Sequence, residues 1–122
     1  MKWAHFDTVD ASERLLYWVL MYVLSPYFDD PIDHWLKKIL GQDGGVGGDP
    51  GWEIERVSDG TGNCRFLVWA DPNMSGIDPP AATYSKEAVM HAIRNSLLAL
   101  VETQPEREHE VKETLKRYAL DH

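Results

Sequence analysis

The sequence contains a single cysteine, Cys64, among 122 residues, so no internal disulfide is available to hold the fold together. It lacks a long apolar run as well: the longest, Leu15 to Leu24 ("LLYWVLMYVL"), is half the length of about 20 residues that a bilayer span needs. The opening "MKWAHFDTVDASE" has neither the basic-then-apolar pattern nor the small-residue cleavage site of a secretory signal. Together these absences predict a protein of the reducing cytoplasm that does not engage a membrane. Positive charge is scarce too, with 12 Lys and Arg against 20 Asp and Glu, a net charge of −8. Such a field repels nucleic-acid phosphates, and the basic residues that exist, Arg94, Arg107, Lys112, Lys116 and Arg117, are interleaved with glutamates. Nucleic acid is therefore not an expected partner.

Metal and catalytic signatures are missing in the same way. The histidines His5, His34, His91, His109 and His122 stand singly, with no C-x-x-C, H-x-x-H or H-x-x-x-H pair to bind zinc. The glycine-rich stretch "GQDGGVGGDPGWEIE" (Gly41 to Glu55) has no Lys-Ser/Thr to follow its glycines, as a Walker loop requires. It also leaves a helix and enters a strand, the reverse of a dinucleotide loop. An EF-hand begun at Asp43 meets Gly45, Gly47 and Ile54 where ligands belong, which leaves only loose calcium binding by Asp43, Asp49 and Glu53 open. The preferred reading of the stretch is a flexible joint. Cys64 opens an apolar strand and reads as a core thiol rather than a nucleophile, and paired acids such as Asp29/Asp30 and Glu53/Glu55 read as solvated faces rather than a tuned acid and base. No cofactor, no metal and no catalytic residue is assigned, and the chain is expected not to be an enzyme.

What is present is a folded composition, 43% hydrophobic and 26% charged, of a length that suits one domain over residues 1–122. Asp10 and Glu13 form a capping-box pair ahead of a helix over 11–24, which Ser25-Pro26 ends. A second helix is signalled by Asp30 as N-cap, Pro31 at the first position, Lys37 and Lys38 in the last turns and Gly41 beyond the end. Its stripe of Ile32, Trp35, Leu36, Ile39 and Leu40 is expected to pack on the first helix. "WEIERVS" (52–58) and "CRFLVWA" (64–70), joined by "DGTGN", form a hairpin, and "AATYS" adds a third short strand. Ser85 caps a third helix with a stripe of Val89, Ile93, Leu97, Leu100 and Val101, and Pro105 starts a fourth, with Val111, Leu115 and Tyr118 on its apolar face. The predicted fold is α+β: two N-terminal helices, a small antiparallel hairpin or three-stranded sheet, and two C-terminal helices.

Two positive features point toward function. Residues 1–80 carry a net charge of −7 and residues 81–122 only −1, so the acidity is concentrated over Asp29, Asp30, Asp33, Asp43, Asp49, Glu53 and Glu55. Five tryptophans, Trp3, Trp18, Trp35, Trp52 and Trp69, supply aromatic bulk. Trp18 and Trp35 lie on helix stripes and read as core, whereas Trp52, placed after the glycine joint, is expected to be partly exposed. Asp29, Asp33, Asp43, Asp49, Trp52, Glu53 and Glu55 are thus the candidate partner-binding residues. An acidic surface with an aromatic anchor suits a basic protein, since charge speeds encounter and the ring supplies affinity.

The tail "TYSKEAVMHAIRNSLLALVETQPEREHEVKETLKRY" covers about the last third of the chain. It resembles the C-termini of immunity proteins of bacterial polymorphic-toxin and contact-dependent inhibition systems, which run from a short strand into a helix, a proline and a second helix. The resemblance implies a cytosolic protein, monomeric or weakly dimeric in isolation, that covers the active site or substrate path of a cognate toxin, often a basic nuclease, with carboxylates standing in for nucleic-acid phosphates. The alternative class is a non-catalytic adaptor or subunit that assembles through its apolar helices.

Overall fold

The computed structural model describes residue 3 and residues 8–24, 31–40, 45–48, 51–58, 60 and 64–120. The chain begins with a 3-10 turn, Ala11–Glu13, that leads directly into α1, Arg14–Leu24. The Asp10 carboxylate caps this end, as expected, but it accepts from the backbone N–H (3.0 Å) and hydroxyl (2.9 Å) of Ser12 rather than forming a box with Glu13. Those two bonds hold its carboxyl below the usual aspartate range. Leu15, Leu16, Tyr17, Val19, Leu20, Val23 and Leu24 are all buried, so α1 is a core helix with apolar residues on most of its circumference.

The second expected helix is shorter than its sequence signals suggest. Residues 32–35 form turns, and only Leu36–Ile39 make regular helix, α2. The Asp30 cap lies outside the described residues. The Ile32 N–H donates to Glu110 Oε2 at 2.8 Å, a carboxylate supplied by the far end of the chain. Ile32, Leu36 and Ile39 of the predicted stripe are fully buried, with Trp35 and Leu40 half-buried. Each fully buried aliphatic side chain contributes about 2 kcal/mol, against about 1 kcal/mol for a cap. Burial of the stripe, more than helix signals, thus decides this segment's path. Its main packing is against the sheet, not against α1.

The sheet is a four-stranded antiparallel meander, β1 (Gly45–Gly48), β2 (Trp52–Ser58), β3 (Cys64–Ala70) and β4 (Ala81–Ser85), in the spatial order β1-β2-β3-β4. Strands β2, β3 and β4 match the sequence expectation, while β1 corrects it: the glycine stretch is in part an edge strand rather than only a joint. The reason lies in Trp52. A Cβ at Gly47 would stand 2.9 Å from the Trp52 carbonyl, and one at Gly48 3.4 Å from its ring, so only glycine lets this strand come close. On the inner face, Trp52, Ile54, Phe66, Val68, Ala70 and Tyr84 are buried, and α1 packs on β3.

Between β3 and β4 the proline-rich loop contains one further short helix, α3 (Pro72–Ser75), capped by Asp71 at the Asn73 N–H (2.9 Å) and ended by Gly76 at φ 68°. The Asp78–Pro79 peptide that follows is cis. Ser85 then caps α4 (Lys86–Thr103), its hydroxyl accepting from the Ala88 N–H at 3.1 Å. Val89, Ile93, Leu97 and Leu100 are fully buried, as their spacing predicts, and α4 lies against α1. Pro105 opens a 3-10 turn, Pro105–Arg107, before α5 (Glu108–Arg117), whose Val111 and Leu115 complete the core. The architecture is α+β, and among the described residues no helix is long and apolar enough to cross a membrane.

Candidate functional site

Strand alternation sends Glu53, Glu55 and Val57 of β2 to the face opposite the core, together with Arg65, Leu67 and Trp69 of β3. The register then assembles two rows across the sheet. Gly47, Glu53, Trp69 and Ala81 stand opposite one another in the first, and Gly45, Glu55, Leu67 and Thr83 in the second. Opposite residues on one face have Cβ atoms about 5 Å apart, so each carboxylate has a large apolar neighbour on β3 and only glycine on β1. Every non-glycine member of both rows is exposed, and Leu67 and Trp69, each at 38%, are among the few large hydrophobic residues that are. No ion pair reaches Glu53 or Glu55 among the described residues. Helices cover the other face, and among the described residues no element covers this one.

The remaining candidate residues separate into three groups. Asp29, Asp43 and Asp49 lie outside the described residues. Asp33 is not an open carboxylate: its side chain, 13% exposed, pairs with the Arg117 guanidinium and accepts from the Tyr118 hydroxyl at 3.2 Å. That contact raises the pKa of Arg117, while burial and then Asp33 raise that of Tyr118. Asp33 therefore joins the turn before α2 to the end of α5. Trp52 is also a correction, because it is only 4% exposed and its ring stacks on Tyr22 at 6.4 Å between centroids. It is a core residue under the glycines of β1, and the aromatic residue of the open face is Trp69. The signal for Trp69 is present in "CRFLVWA", where Arg65, Leu67 and Trp69 alternate with Cys64, Phe66, Val68 and Ala70. Recognising it requires knowing which set faces the helices.

Elsewhere, Cys64 is a half-buried free thiol packed against the core. Among the described residues no three His, Cys, Asp or Glu side chains are grouped to hold a metal ion. A groove of about 520 Å³ lies where the first turn, the loop before β4 and β4 itself meet. Comparisons with protein-family models, with curated proteins and with solved structures find no match to this chain.

Proposed function

We propose that this protein is a non-catalytic binding module that captures a basic protein on the open face of its sheet. The observation that carries the reading is the pairing of Glu53 with Trp69 and of Glu55 with Leu67 across one exposed surface. Two carboxylates with no ion-pair partner among the described residues give long-range attraction to Lys and Arg, and the two apolar side chains beside them give an area that gains by leaving water. The net charge of −8 adds a field of the same sign. The resemblance of the tail to immunity proteins narrows the partner to a cognate toxin domain of a bacterial inhibition system, neutralised by occupancy of its active site or substrate path in the cytoplasm. Glu53, Glu55, Leu67 and Trp69 would form the described part of that surface.

The test is a paired capture. The parent and a Glu53→Gln/Glu55→Gln/Trp69→Ala variant serve as baits at low and at moderate salt, and retained proteins are identified by mass. A basic domain held by the parent, released by salt and missed by the variant, followed by loss of protection when that domain is co-expressed with the variant, meets the proposal. Equal retention by both baits rejects the open face, and a salt-resistant complex that ignores the substitutions favours the adaptor class instead.

A further inference from the structure

We infer that the groove beside β4 is a second binding site, which takes an extended basic peptide as an added strand. The backbone geometry sets this up. The Ala70 N–H donates to the Pro80 carbonyl at 2.9 Å, which fixes 70 and 80 as a hydrogen-bonded pair. Antiparallel ladders alternate, so within β4 the residues Ala82 and Tyr84 turn their backbone groups toward β3, while Ala81 and Thr83 turn theirs to the free edge. Ala82 and Tyr84 project side chains to one face of the sheet and Thr83 to the other. A groove lined by all three residues therefore lies beside that edge at Thr83.

The lining selects the occupant. Its walls are apolar at Leu15, Ile77 and Pro79, and its charged groups are Glu13 and Asp78, with no Lys, Arg or His among the described lining residues. Neither carboxylate has an ion pair among the described residues. The wall is firm on the side of the first turn, because the Tyr84 hydroxyl donates to the Ser12 carbonyl at 2.9 Å. A segment alternating apolar and basic residues meets each of these demands: its backbone continues the ladder, its apolar side chains enter the groove, and its cations reach the two carboxylates. This inference is independent of the open face, since the groove shares only Ala82–Tyr84 with the sheet and none of Glu53, Glu55, Leu67 or Trp69.

The probe is a fluorescein-labelled eight-residue peptide of alternating valine and lysine, compared with its valine–glutamate counterpart and with a version N-methylated at its two central amides. Binding is followed by polarisation and located by amide shifts in heteronuclear NMR spectra of the labelled full chain. The expected result is saturable binding of the lysine peptide alone, with shifts centred on Ala81 and Thr83, and about tenfold weaker binding by Glu13→Gln/Asp78→Asn. An unchanged spectrum away from the groove confirms that this variant is folded. The inference is overturned if the methylated or glutamate peptide binds as well, if no peptide binds, or if the shifts centre on Glu53 and Trp69.

Discussion

At the scale of single residues, several polar side chains act as fasteners, and Asp33 shows how burial redirects a residue that composition groups with an acidic face. It binds Arg117 and Tyr118 across 84 and 85 residues of sequence. Asp33→Asn should cost about 1 kcal/mol, a figure restrained by the exposure of Arg117, and the loss should vanish in an Arg117→Gln, Tyr118→Phe background, as a double-mutant cycle in urea would measure. Two buried tyrosines give a pH dependence. Burial raises the pKa of Tyr17 and of Tyr84 above 10, with the Asn95 amide opposing the rise at Tyr17 and Glu13 adding to it at both. A folded pKa above the unfolded one means that the folded state holds its proton more tightly. The stability contributed is complete below pH 10 and is lost as pH climbs toward the folded values. The urea midpoint should therefore fall between pH 9.5 and 11.5 in the parent by more than in Tyr84→Phe, which retains the ring and lacks the titrating hydroxyl. Equal slopes in the two proteins would show that Tyr84 plays no part.

At the scale of elements, what was legible in the sequence was whatever local chemistry alone determines. The hairpin of β2 and β3 follows from alternation, and α4 follows from Ser85 and its apolar stripe, because in each case cap, period and burial agree. The two misreadings occurred where a contact outside the segment itself overrides its intrinsic preference. The Pro31–Leu40 segment has the caps of a full helix, yet its first turn is held by Glu110, Arg117 and Tyr118 of the C-terminal region. The glycines 45, 47 and 48 oppose strand formation by propensity, and they pair nonetheless, with Gly47 and Gly48 lying against the Trp52 carbonyl and ring where a side chain would crowd. Gly47→Val raises strand propensity and should still destabilise the fold by about 1–3 kcal/mol, since its Cβ would fall 2.9 Å from the Trp52 carbonyl. A thermal melt of Gly47→Val that equals or exceeds the parent would contradict the close approach of β1 to β2.

At the scale of the whole molecule, the proposed recognition assigns separable contributions to charge and to aromatic exposure. The concentration of acid in residues 1–80 was readable from composition, and so was the placement of Glu53 and Glu55 on one face of a strand. Which tryptophan is exposed was misread, because Trp52 and Trp69 sit in similar strands and only the packing of the helices determines which of them is covered. The two kinds of group leave different kinetic signatures. Carboxylates on an open surface act over a Debye length of about 8–10 Å, so they govern encounter, while a ring that must leave water governs how long a complex lasts. Against the basic partner proposed for the open face, Glu53→Gln/Glu55→Gln should lower the association rate several-fold at low salt, converge with the parent as salt rises, and leave dissociation nearly unchanged. Trp69→Ala should do the reverse, with an association rate close to the parent's and dissociation faster by about tenfold or more. Both sets of residues are exposed and outside the core, so neither variant should shift the melting temperature appreciably. Surface plasmon resonance across a salt series separates the two rates. A common effect of both variants on dissociation alone would mean that the carboxylates are buried in the complex and act as short-range contacts rather than as a steering field.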